Sequence, residues 1–104
     1  VLKKIKEELD IKNKWLFIFP DHVIFYDYFK LKNPTRYYLH TNQTTDGIQK
    51  EIINKLETTK TNNFIFFPES ATYLKEVREW ILNKTNVVQI YKIGNKKVEL
   101  RKRL

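Results

Sequence analysis

Twice in this chain a run of bulky apolar residues ends in proline, a carboxylate and then an imidazole or small polar side chain. The two stretches are WLFIFPDH at residues 15–22 and NFIFFPES at residues 63–70. An apolar run without polar alternation suits a strand covered on both faces, as in a parallel sheet. Proline ends such a strand, because it has no N–H to give to the ladder. The acid or serine behind it is placed to satisfy open N–H groups at the start of a helix. Each phrase therefore reads as a buried strand leaving a sheet and turning into a helix. The repeat is architectural, and phrases this short do not argue for duplication.

The remaining segments fill in the same pattern. Leu2, Ile5 and Leu9 lie at helical spacing among Lys and Glu. They predict an amphipathic helix or linker over residues 1–14, ahead of a single α/β domain over residues 15–104. A helix is expected from Asp21 to about residue 31, and TRYYLHT at residues 35–41 reads as a second strand. Asp46 and Gln49 have capping-box spacing at the head of the clearest helix, whose apolar face is Ile48, Ile52, Ile53 and Leu56. Leu74, Val77 and Ile81, flanked by Tyr73 and Trp80, mark another helix. Gly94-Asn95 between two apolar-rich runs signals a β-hairpin, in which Val98 and Leu100 alternate with Lys97, Glu99 and Arg101 to leave one wet face. Strands alternating with helices imply crossovers and neighbouring parallel strands. The expected fold is a three-layer α/β/α sandwich with parallel central strands and a C-terminal antiparallel hairpin.

Composition narrows the function classes. A chain of 104 residues, 41% hydrophobic and 14% aromatic, is one folded domain rather than a disordered segment. With no cysteine it has no disulfide, thiolate metal site or cysteine nucleophile. No stretch approaches the ~20 apolar residues of a membrane span. It begins at Val rather than Met and lacks a signal-peptide apolar centre, which fits a segment cut from a longer chain and fits equally a chain trimmed of a disordered start. The net charge of +8 reads as a solvated lysine surface or as a match to a phosphate-rich partner, nucleic acid or anionic bilayer.

In open α/β sheets ligands lie beyond the carboxyl ends of the parallel strands. Three such exits carry polar groups: Asp21 and His22, His40 and Thr41, and Glu69 and Ser70. These six are the ligand-contact candidates. Two carboxylates with two imidazoles suit acid–base or metal chemistry, although capping alone accounts for Asp21 and Ser70. A small hydrolase using Asp21, His22, His40 and Glu69 is one reading of this group.

Other chemical motifs fail. Gly47 and Gly94 are the only glycines, too few for a phosphate loop; the two histidines are not metal-spaced; and Ser70 stands outside any G-x-S-x-G. Pro20-Asp21 with Glu99-Leu100-Arg101 is a poor nuclease pattern, since the spacing is too long and arginine replaces the expected lysine. No catalytic residue, metal site or cofactor is assigned. The basic tail offers Lys96, Lys97, Arg101, Lys102 and Arg103 as membrane- or phosphate-contact candidates against Glu99 alone. Tyr37, Tyr38 and Tyr91 read as sheet packing rather than base-stacking platforms.

The order of these motifs resembles the C-terminal extracytoplasmic domain of polytopic, lipid-linked-sugar-dependent glycosyltransferases, the group of protein mannosyltransferases and aminoarabinose transferases. WLFIFPDHVIFYDYFKLKNPTRYYLH looks like that family's strand, "PD"-type turn, tyrosine-containing helix and "PTR-aromatic" strand. GIQKEIINKLETTKTNNFIFFPES looks like its next helix and apolar strand, and ILNKTNVVQIYKIGNKKVELRKRL like its terminal hairpin. The resemblance spans residues 15–103 and describes a fold more than a site. It implies a non-catalytic accessory domain on the extracytoplasmic face of a bacterial membrane, tethered to a membrane-embedded parent chain and in contact with acceptor, anionic lipid or lipid-linked sugar. The family's metal-binding carboxylates lie in loops outside this segment, and Glu7-Glu8 matches nothing catalytic there. Juxtamembrane cations would then attract anionic lipid by about 1 kcal/mol each. The alternative is a free-standing basic module that binds nucleic acid.

Overall fold

The computed structural model describes residues 2–10, 12–19, 26, 28–35, 46–69 and 74–104. The elements in chain order are α1 (Leu2–Glu8), β1 (Leu16–Phe19), α2 (Asp46–Thr58), β2 (Asn63–Phe66), α3 (Lys75–Lys84), β3 (Thr85–Ile93) and β4 (Lys96–Arg103). Among the described residues the strands form one four-stranded sheet in the order β1-β2-β4-β3. The expected strand at residues 35–41 and most of the helix expected after Asp21 lie outside the described residues.

The two apolar phrases are neighbours and point the same way. In the parallel β1–β2 pair, Phe17 stands beside Phe64, Ile18 beside Ile65 and Phe19 beside Phe66. The identical Phe-Ile-Phe triplets are thus in register, one residue away from the alignment their prolines would suggest. Alternation sends like side chains to like faces. Phe17, Phe19, Phe64 and Phe66 pack with Ile52, Leu56, Val77 and Trp80 of α2 and α3 on one side. Leu16, Ile18 and Ile65 pack with Ile5, Leu9, Tyr26 and Phe29 on the other. All eight residues of β1 and β2 are buried, as the uninterrupted apolar runs require. The phenylalanines add ring geometry: Phe19 stacks on Phe66 with centroids 5.5 Å apart, and Phe17 meets Phe64 edge-on at 6.5 Å. On the far side of β1, Trp15 forms an isolated parallel bridge with Lys32, in which the Leu16 N–H donates to the Lys32 carbonyl and the Lys32 N–H to the Lys14 carbonyl, each at 2.8 Å.

Among the described residues the sheet is mixed, with β1–β2 as its one parallel strand pair and the C-terminal hairpin antiparallel, as expected. The hairpin is the cause. Helix α3 runs straight into β3, and the Gly94-Asn95 turn folds β4 back between β3 and β2, antiparallel to both. Gly94 has φ +62, the left-handed conformation a two-residue hairpin turn demands and glycine accepts without strain. Strand β4 takes the inner place because Val98 and Leu100, both fully buried, complete the cluster that contains Ile5 and Ile65. The N-terminal segment belongs to the same core, since Ile5 and Leu9 lie inside that cluster.

Buried amides hold the connections. Asn63, at the start of β2, is fully buried. Its side-chain nitrogen donates to the carbonyls of Asp10, Asn13 and Trp15, while its oxygen accepts the Asp10 N–H at 2.8 Å. The side-chain oxygen of Gln49 accepts the N–H groups of Glu76 and Val77 at the start of α3. That helix has Leu74 at its cap position and no side-chain cap of its own, so the glutamine supplies what the local sequence lacks.

Candidate functional site: the strand exits and the basic hairpin

The carboxyl ends of β1 and β2 do lie side by side, and the Phe67 N–H bonds the Phe19 carbonyl at 2.9 Å beyond the named strands. Of the six candidates on this rim, Asp21, His22, His40, Thr41 and Ser70 fall outside the described residues. Glu69 is described: it is exposed, in a turn directly after Pro68. The Pro68 carbonyl accepts a hydrogen bond from the Arg78 guanidinium at 3.0 Å, which fastens this exit to α3. Among the described residues there is no enclosed pocket and no group of three or more His, Asp or Glu side chains arranged to hold a metal.

The basic hairpin is described in full, and it divides its cations sharply. Side chains of β4 alternate: Lys96, Val98, Leu100 and Lys102 on one face, Lys97, Glu99, Arg101 and Arg103 on the other. The second face was expected to be wet, and for Glu99 and Arg101 that expectation is corrected. They are 8% and 6% exposed. The alternation is real, but this face lies beside the phenylalanine cluster: the Arg101 guanidinium sits over the Phe66 ring at 5.8 Å. Its Nη1 bonds the Glu99 carboxylate at 2.6 Å, its Nε donates to the Thr85 hydroxyl at 2.8 Å and its Nη2 to the Thr85 carbonyl at 3.1 Å. The Thr85 hydroxyl in turn donates to the Ile81 carbonyl. Arg101 is thereby a structural clasp on the junction of α3 and β3, with its donors committed inside the protein.

Arg103 is also engaged internally. It donates to the Leu56 carbonyl at the end of α2 and lies 5.2 Å from the Trp80 ring centroid. The cations left towards solvent are lysines: Lys92 and Lys96 are exposed, and Lys97 and Lys102 are partly so. Lys92 and Lys97 are direct cross-strand partners. Like charges placed so are destabilising, and Lys97 finds partial relief at 3.5 Å from the Glu99 carboxylate.

Tyr91 packs partly against the cluster of Ile5 and Leu100, in keeping with a packing role. Burial pushes its hydroxyl pKa above the usual 10.0, and the negative charges of Glu8 and then Glu7 raise it further. Tyr37 and Tyr38 lie outside the described residues.

Beside these lysines is an apolar strip that the sequence reading passed over. Val87, Val88 and Ile90 of β3 are exposed. A signal was present: TNVVQIYKI contains β-branched residues on both parities, so no single buried face accounts for them. A register shift between Val87 and Gln89 marks a bulge there. Comparison with known protein families, curated proteins and solved structures returns no match for this chain.

Proposed function

We propose that the domain is a non-catalytic, extracytoplasmic binding domain of a bacterial membrane glycosyltransferase-like protein. In this reading it is an α/β/α sandwich in all three layers, and its hairpin lysines meet anionic headgroups of lipid or of a lipid-linked sugar. The supporting observation is the direct opposition of Lys92 and Lys97, with exposed Lys96 on the other face of the same hairpin end. Two ammonium groups held across a strand pair repel each other, and an anion between them removes that penalty. Arg101 and Arg103 serve the fold, so the contact set is narrower than the basic tail suggests: Lys92, Lys96, Lys97 and Lys102. The rim at the ends of β1 and β2, with Glu69, is the surface for a neutral acceptor or for the parent chain.

Co-sedimentation with vesicles tests the headgroup contact. Binding is expected to vesicles containing phosphatidylglycerol, not to purely phosphatidylcholine vesicles, and to fall as salt rises. Changing Lys92, Lys96 and Lys97 together to Gln is expected to weaken it about a hundredfold, at about 1 kcal/mol for each cation. No binding to anionic vesicles at low salt overturns the headgroup contact. A parent reading frame with no apolar spans ahead of Val1 overturns the tether. The same titration with short oligonucleotides separates this reading from a nucleic-acid module, which would bind them with a steep salt dependence.

A further inference from the structure

Strand β3 is an end strand of the sheet. Among the described residues eight of its nine positions pair with β4, Val88 at the bulge being the exception, and none pairs with another strand. The backbone N–H and C=O groups on its other side therefore have no strand partner there. Proteins ordinarily blunt such an edge by keeping it short, by proline, or by charges along it. Here the strand is long, has no proline and carries Lys92 as its single charged residue. Val87, Val88 and Ile90 are 42%, 43% and 51% exposed beside that edge. The bulge at Val88 bends the strand but leaves residues 89–93 in unbroken register. Backbone groups presented in this way are complemented by another extended chain, which adds as a strand.

Charge decides what kind of chain. Residues 84–104 contain seven cations, Lys84, Lys92, Lys96, Lys97, Arg101, Lys102 and Arg103, against the single acid Glu99. Glu99 is already bonded to Arg101 and Lys97. Both faces of the hairpin present lysines to solvent, Lys92 and Lys97 on one and Lys96 and Lys102 on the other. A second copy of the chain, at +8, brings the same sign to this edge and is disfavoured. We propose that β3 is the docking edge for an extended acidic peptide segment, which adds as a further strand. Its apolar side chains cover Val87 and Ile90 on one face, and its carboxylates lie on the other face, the side of Lys96 and Lys102. This inference does not depend on the membrane reading, because it rests on unpaired backbone that a headgroup does not satisfy.

The test is titration of the ¹⁵N-labelled domain with a capped nine-residue peptide alternating Glu and Val. Three controls accompany it: the Lys-for-Glu peptide, an acidic peptide with proline at its centre, and vesicles. Shifts concentrated on the amides of β3 and its β4 neighbours are expected, with slowed exchange of β3 amides and affinity that falls with salt. Val87→Glu with Ile90→Glu, both on exposed positions that the core does not use, is expected to bind about tenfold more weakly. Equal binding of the proline-interrupted peptide, or shifts spread over the lysines without β3, means charge attraction alone and overturns the proposal. So does absence of peptide binding, or a dimer that strengthens with salt and excludes the peptide. Vesicle binding that leaves β3 amides unchanged keeps the two surfaces separate, so either reading can fail without the other.

Discussion

The side-chain oxygen of Gln49, on α2, accepts the backbone N–H of Glu76 at 2.9 Å and that of Val77 at 3.3 Å, so one helix caps the start of another. Gln49 is 4% exposed. Gln49→Leu keeps the bulk and deletes the acceptor. It is expected to cost about 1–2 kcal/mol, read as a lower urea midpoint with an unchanged slope.

Asn63 is the second buried amide, joining β2 to the turn between α1 and β1 through four hydrogen bonds. Asn63→Ala removes a side-chain donor from three carbonyls and the acceptor of the Asp10 N–H, while the Asp10 carbonyl keeps the Asn13 N–H. A loss of about 2–3 kcal/mol is expected, together with faster amide exchange at Asp10, whose N–H bonds the asparagine oxygen. Unchanged exchange there would mean that water takes the place of the side chain.

Arg101 and Glu99 form a buried pair, and breaking such a pair costs more than removing it whole. Arg101→Met alone leaves the buried Glu99 carboxylate with only Lys97, at 3.5 Å, and is expected to destabilise the fold by about 3 kcal/mol. Adding Glu99→Val should recover most of that loss. A double-mutant cycle from denaturant unfolding measures the coupling, and additive losses would contradict the clasp.

The Tyr91 hydroxyl is expected to titrate above the ordinary tyrosine value of 10.0, through burial first and then through Glu8 and Glu7. Its folded pKa is raised, so the neutral phenol favours the folded state. That contribution is complete below the unfolded value near pH 10 and disappears as pH climbs through the folded value. Ultraviolet difference titration should show the shift, and Glu7→Gln with Glu8→Gln should reduce it without abolishing it.

The two glycines should respond in opposite directions. Gly94 needs φ +62, so Gly94→Ala is expected to destabilise by about 1 kcal/mol even though a Cβ there meets nothing within 4 Å. Gly47 lies in α2 with the same open space, and Gly47→Ala should stabilise by about 0.5–1 kcal/mol. Thermal unfolding of the two variants provides the comparison.

What the amino-acid sequence disclosed depended on how local the governing physics was. Both phenylalanine strands and the hairpin were readable, because an unbroken apolar run and a Gly-Asn turn act over a few residues. Strand order was not, since the place of β4 beside β2 is set by which edge buries Val98 and Leu100. Arg101 looked solvated because alternation says which face a side chain takes, not what lies beside that face; Phe66 and Thr85 do. Gln49 stood at capping-box distance from Asp46, and nothing local announced that its oxygen also reaches a backbone N–H 27 residues away. On the rim, parallel neighbours were foreseen and found, while Glu69 alone of its six polar candidates is placed.

Lys84 ends a helix and Thr85 begins a strand, with no connector between them. Tension applied along β3 therefore has no slack to take up: it passes directly into α3, whose first turn hangs from Gln49. A partner tugging on that strand would strain a neighbouring helix, so this corner is built to transmit force rather than to absorb it.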